Sequence, residues 1–470
     1  MSLEIMTNQK PKEQNEDPNK IAGIPSKELF IDMLVKDLSL RNAIGDLVDN
    51  SVDAANKIAT EKKTDLSDFL VKITFDKNHF NITDNAGGIE EMVARKYAFK
   101  LGKPNDYKQE KHTIGQFGIG MKRAFFKLGE LISVESTALN SDFKLTISVK
   151  EWRARKDEKD WDFTFTEVNL KNHILKDTKT IIQITQLKED VKNQFKEPQF
   201  LIDLINEIRL QHLFAINKGL KIKINSDKPL SAPRITLISD KDFKPCYWVH
   251  MFPSGLKAEI LAGISEDKGE EGGWYIFCND RLILPHETTE VTGWKGGKAK
   301  GGREGKELPK YHDQYFRFRG YVFFNADDAS KLPWTTSKTG IDPDSNEYTY
   351  VKVKMIQLAK QVKELMDNLK NERVKDNPAD RQFLNRKVED ADNTSVVDVS
   401  TILFSKTNLP AIYKYPKELF NPPAKGETRI SYTKITKSVK QVMEYFSASS
   451  PNDAGSATFD WFYKNQIGKK

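Results

Sequence analysis

The sequence predicts an α+β protein: a layered sheet-and-helix domain, a second α+β domain behind it, and a helical C-terminal region. Three observations carry this. Apolar residues recur at helical spacing from Leu40 to Ala55, with Leu40, Ile44, Leu47 or Val48, Val52 and Ala55 on one stripe. Phe69–Phe75 and Asn81–Thr83 read as the strands of a hairpin that runs into a glycine-rich turn. Beyond residue 200, strand-like runs at Leu220–Asn225, Leu256–Ile264, Trp274–Cys278 and Phe318–Phe324 follow a predicted helix at Gln199–Asn217.

The first helix has Ser39 in position to cap it. Its polar face places Asp46, Asn50 and Asp53 at i, i+4 and i+7, so two carboxylates and an amide project side by side. Asn is a poor helix former, and its side-chain oxygen suits a hard cation. Taken alone, the face also fits ordinary solvation. After the hairpin, Asp84-Asn-Ala-Gly-Gly88 offers a carboxylate at a strand end, with glycines that let a flat ligand approach the backbone. A plain Asp-Asn-Gly turn is the alternative reading. A third segment, Gly115-Gln-Phe-Gly-Ile-Gly-Met-Lys122, opens a helix predicted at Met121–Leu128 and turns backbone amides and a positive helix end towards phosphates. Each motif is weak singly; their order and spacing carry the argument.

In that order the three motifs resemble the GHKL ATPases: type II topoisomerases, the heat-shock chaperone, sensor histidine kinases, MutL and the microrchidia proteins. The resemblance covers roughly residues 25–345, and Ile114–Lys122 looks most like the microrchidia version. A fourth element of the family, a strand threonine near the adenine, is matched more loosely by Thr180. The resemblance implies a Bergerat-type α/β sandwich that binds ATP and Mg2+. Asn50 would ligate the magnesium ion and Asp84 would accept from the adenine amine. Asp53, Gly88 and the run Gly115, Gln116, Phe117, Gly118, Ile119, Gly120 and Met121 would line the nucleotide, with Lys122 or Lys103 adding positive charge. Residues 95–114 would form the lid. Two positions depart from the pattern. Asp46 stands where most hydrolysing members place a glutamate base, and it reaches about 1.5 Å less. Slow hydrolysis is therefore expected. Ala86 replaces a glycine, a mild change.

Residues 21–195 are read as the nucleotide domain and 196–345 as a transducer domain, whose counterpart in relatives supplies a lysine to the γ-phosphate. Trp334–Ile341 lies in the corresponding place and offers Lys338, although a solvated loop lysine is the plain alternative. Tyr275–Ile283 resembles the strand-turn-strand of that domain. Apolar positions Val351, Met355, Leu358, Val362, Leu365 and Leu369 predict a long amphipathic helix over 350–375, stalking away from the second domain or packed along it. Residues 346–397 are thus helix and linker, the linker beginning at Asp376. The last stretch, 398–470, has no assigned role, and its aromatic run Phe459–Tyr463 is expected to pack onto the body. Residues 1–20 are read as disordered or as a strap.

No run approaches the roughly 20 apolar residues of a membrane span, and residues 1–20 lack a signal-peptide core, so a cytoplasmic protein is expected. Two cysteines exclude a disulfide framework and a four-cysteine zinc module within one chain. The net charge of +7 is modest, but residues 294–306 gather Lys295, Lys298, Lys300, Arg303 and Lys306 on a glycine-rich loop suited to a phosphate backbone or simply to solvent. The expectation is an ATP-gated clamp that dimerises on ATP, slow in turnover, with DNA as a candidate client. The alternative is an ATP-switched module for protein partners.

Overall fold

The computed structural model describes residues 26–100, 111–115, 118–155, 160–266, 269–295, 307–372, 383–396, 410–416 and 434–468. The segments expected to act as strap (1–20) and most of the lid and basic loop, with Lys103, Gln116 and Phe117, lie outside these residues.

The first domain is built on a seven-stranded sheet. Helices α1 (Lys27–Val35) and α2 (Leu40–Lys62) precede β1 (Leu70–Phe75) and β2 (His79–Asp84); then come the short α3 (Glu91–Val93) and α4 (Gly120–Leu128). Strands β3 (Gly129–Thr137) and β4 (Asp142–Ser148), helix α5 (Val149–Arg153), and strands β5 (Phe165–Asn169) and β6 (Lys179–Leu187) follow. The order is β5-β4-β3-β6-β2-β1, with a last strand, β7 (Lys221–Ile224), at the edge. Val71, Ile73 and Phe75 alternate into the core while Lys72, Lys144 and Gln183 stay exposed, the pattern of a sheet with helices over one face. Ser39 caps α2 by accepting from the Asn42 amide, as the sequence predicts.

β7 corrects one expectation. The run Leu220–Asn225 was assigned to the second domain, yet it pairs parallel to β1, with Leu70 opposite Lys221. An alternating pattern marks a strand but not its sheet. The predicted helix before it is split into α7 (Pro198–Gln211) and α8 (Leu213–Asn217), after α6 (Glu189–Lys196). The break falls at His212, where φ is −112° and ψ 25°.

The second sheet runs β12-β11-β13-β10-β9, made of β9 (Cys246–Met251), β10 (Lys257–Ile264), β11 (Gly273–Cys278), β12 (Arg281–Glu287) and β13 (Phe318–Asn325). β11 and β13 are parallel; the other neighbours are antiparallel. The central strands are buried almost residue by residue because both faces are covered. Leu213 and Phe214 of α8 pack with Leu261, Phe277 and Phe323 in one apolar cluster. Helix α9 (Asn346–Glu372) buries Val351, Met355, Leu358, Val362, Leu365 and Leu369, so it packs along the domain.

Two further expectations change. The supposed linker contains α10 (Phe383–Glu389) and β14 (Asn393–Ser395), and β14 pairs antiparallel with β8 (Thr236–Ile238). Three residues of strand are too few to show a period. Near the C-terminus, α11 (Thr436–Phe446) and α12 (Pro451–Phe462) pack on each other, but Phe459, Trp461, Phe462 and Tyr463 are about half exposed instead of packed onto the body. No helix of the described residues is long and apolar enough to cross a membrane.

Candidate functional site

Helix α2 is the platform. One side chain that the sequence reading passed over, Asp49, lies fully buried at its centre. Its Oδ1 accepts from Arg281 Nε at 2.7 Å and its Oδ2 from Lys338 Nζ at 2.6 Å. Burial works against its charge, but Arg281, Lys338 and His212 hold the carboxyl well below the usual range. Lys338 Nζ also donates to Asp46 Oδ1 at 3.3 Å, across 292 residues of sequence. Burial opposes the ammonium, while Asp49 and Asp46 more than offset it and raise its pKa. The structure thus joins the two residues expected to be catalytic. A buried carboxylate with one partner removed is costly, so the cluster is a strong constraint on where the loop carrying Lys338 can sit.

Beside this cluster, a Cβ on Gly120 would lie 3.2 Å from Asp46 Cγ, so the first residue of α4 passes directly over the carboxylate. No side chain caps this helix, because its N-cap is Ile119. Gly118 takes a positive φ of 65°. Asp53 accepts from the amides of Ile114 at 2.8 Å and Gly115 at 2.7 Å, which fastens the start of the glycine run to α2. Desolvation pushes the Asp53 carboxyl up to about 7 against those two bonds. Asn50, one turn before Asp53, is exposed, and its Oδ1 lies 3.8 Å from where a Gly115 Cβ would be.

Lys122 and Met121 turn inward. The Lys122 ammonium donates to the carbonyls of Ala98 (2.8 Å) and Gly118, and Met121 belongs to the core. In this conformation Lys122 braces the glycine run.

Asp84 ends β2, buried, with Oδ2 accepting from Ser51 Oγ at 2.7 Å and Oδ1 from the Ala86 amide at 2.9 Å. Burial raises its pKa, opposed by those bonds. Thr180 is its cross-strand partner on β6, so the loosely matched threonine stands beside the carboxylate. Gly88 must be glycine for a packing reason: its φ is 69°, and a Cβ would fall 2.1 Å from the Thr137 carbonyl oxygen.

With Asp49, the residues that sequence patterns did not single out are Ser51, His212 and Arg281. For Asp49 the signal was present, since an aspartate beside Val48 and Val52 on the inward side of a helix demands a buried partner. Arg281, directly before the apolar Leu282-Ile283 at the start of a strand, is the matching signal.

Residues 38–180 match the family described as histidine kinase-, DNA gyrase B- and HSP90-like ATPase. This segment is a GHKL-type ATPase domain. The chaperone protein HtpG of Alkaliphilus metalliredigens is 33% identical over 135 residues, covering 25% of this chain and 21% of the relative. HtpG of Bacillus velezensis is 30% identical over 135 residues, with the same shares. The chain therefore spans about a fifth of the length of these relatives. The α2 platform and Asp84 fall inside the GHKL match, whereas Arg281 and Lys338 lie beyond it.

Proposed function

We propose that the chain is a slow ATPase whose nucleotide lies between the polar face of α2, the Asp84 turn and the N-terminus of α4. The observation that carries this is the meeting of Asp46 and Lys338 beside Gly120. A carboxylate and an ammonium held under an uncapped helix end suit a terminal phosphate and the water that attacks it. Asp84, with Thr180 beside it, would accept from the adenine amine, and Asp53 and Gly115 would hold the phosphate side. Among the described residues no cluster of acidic, histidine or cysteine side chains could cage a metal. The single exposed amide of Asn50 fits Mg2+, which takes few protein ligands and completes its shell with phosphate oxygens and water. When bound, the ion supplies charge neutralisation at the phosphates. Asp46 would orient and deprotonate water, its short reach keeping turnover below about 10 per second. Lys338 would leave Asp49 and Asp46 for the γ-phosphate.

On this reading the protein is a nucleotide-gated dimeric clamp, soluble and cytoplasmic, closest to the microrchidia-like group through Ile114–Lys122. DNA would be held through the 294–306 loop. The half-exposed aromatics of α12 favour a second reading, in which ATP switches binding of protein partners, and the relatives' names as chaperones point the same way. The test is Asp46→Ala: ATP affinity by calorimetry close to wild type, and phosphate release abolished. Wild-type phosphate release from this variant removes Asp46 from the chemistry.

A further inference from the structure

The hairpin between β11 and β12 touches the site at two places. Its turn is Asn279-Asp280, both residues in the left-handed region at φ 46° and 65°, with Cys278 opposite Arg281. Such a two-residue turn is rigid and matches the twist of its strands. Asn279 is buried, and its Nδ2 donates to the Thr113 carbonyl at 3.1 Å and to the Ala326 carbonyl at 3.1 Å. Its Oδ1 accepts from the Ala326 amide at 3.0 Å. Thr113 immediately precedes Ile114 and Gly115, the residues clasped by Asp53. The turn after β13 reinforces this: the Asp327 carbonyl accepts from His112 N at 3.1 Å.

Two residues on, Arg281 serves the other side. Its Nε holds Asp49 and its Nη1 donates to the Lys338 carbonyl at 3.0 Å. Lys338 sits at φ 54°, a strained conformation for a non-glycine residue that persists only where its surroundings hold it. The Arg281 fork is such a hold, reaching a carboxylate and a carbonyl at once. A lysine in its place reaches one of them.

We infer that the tip of this hairpin, through Asn279 and Arg281, is the coupling element between the hinge of the glycine run and the loop of Lys338. Both are positioning residues; neither touches nucleotide. One stiff turn fixes both segments, so nucleotide sensed at Lys338 is transmitted to Thr113–Gly115 and back. The inference rests on the ATPase reading above.

The test uses the full chain, wild type beside Asn279→Ala and Arg281→Lys, with ATP turnover and with hydrogen exchange before and after a non-hydrolysable ATP analogue. In wild type the analogue protects both 111–115 and 335–341. In each variant kcat falls by roughly tenfold to a hundredfold, the loss expected from a small misplacement, while KM stays within about twofold. Analogue-induced protection then stays at one segment and no longer reaches the other. Arg281→Lys keeps the buried cation and hence the fold, so it carries the test should Asn279→Ala not fold. Wild-type kcat in either folded variant, or a rise in KM at constant kcat, overturns the coupling. A wild-type protein that neither binds nor hydrolyses ATP overturns the ATPase reading itself, and the coupling with it.

Discussion

Asp84 has both carboxylate oxygens already engaged, by the Ser51 hydroxyl and the Ala86 amide. Asp84→Asn turns one acceptor into a donor that faces either the Ala86 N–H or the incoming adenine amine. A buried polar group left unsatisfied costs about 1–3 kcal/mol, so ATP affinity should fall by roughly fivefold to 150-fold, with little change in secondary structure. Calorimetry on the variant reads this directly, and unchanged affinity would take adenine recognition away from Asp84. His212 sets a second expectation. Its ring is buried against Asp49, Arg281 and Lys338, and burial lowers its pKa from 6.5 to about 4. The unfolded chain therefore binds a proton that the folded chain refuses, and the stability from this group is present above pH 6.5 and lost as pH falls towards 4. The difference amounts to about 3 kcal/mol. His212→Gln should make denaturant stability rise less with pH between those values than it does in wild type, whereas an unchanged slope would remove His212 from the acid response.

At the level of elements, α2 and the β1–β2 hairpin could be read because their patterns are local: a cap at Ser39, an apolar stripe, alternation into a glycine turn. The long-range partners could not. β7 alternates as any strand does, and what places it beside β1 is the path of α7 and α8, which a period does not encode. The aromatics of α12 read as core by composition yet lie half exposed, since hydrophobicity does not specify a partner. The same division runs through the site. Asp46, Asn50, Asp53 and Asp84 declared themselves by spacing, while Asp49 and Arg281, 232 residues apart, make sense only together. Turns carry a further expectation. Gly88→Ala meets both a positive φ and the Thr137 carbonyl, so it should destabilise the domain by roughly 1–3 kcal/mol even without nucleotide. Thermal unfolding of the nucleotide-free variant checks this, and a wild-type midpoint would leave ligand approach as the sole reason for the glycine.

Across the whole molecule, Asp46 and Asp49 meet Arg281 and Lys338 in one buried cluster; on the proposed ATPase reading the second domain would be part of the nucleotide site, and domain position and nucleotide state would be one variable. A ligand shifts such an equilibrium only by binding one state more tightly. If ATP draws Lys338 from Asp49 towards the γ-phosphate, it would favour the arrangement in which two protomers close on each other. A non-hydrolysable ATP analogue should therefore move the protein towards a dimer in sedimentation velocity, and ADP should not. Lys338→Ala should reduce this shift more than it reduces analogue affinity, because on the proposed reading adenine and α-phosphate contacts would lie on α2, the Asp84 turn and the glycine run. Asp49 retains Arg281 in that variant, which limits the cost of the lost ammonium. A single oligomeric state with and without analogue, in wild type and variant alike, would reduce the protein to a nucleotide-binding module without a gate, and Lys338 to a structural counter-ion of Asp49.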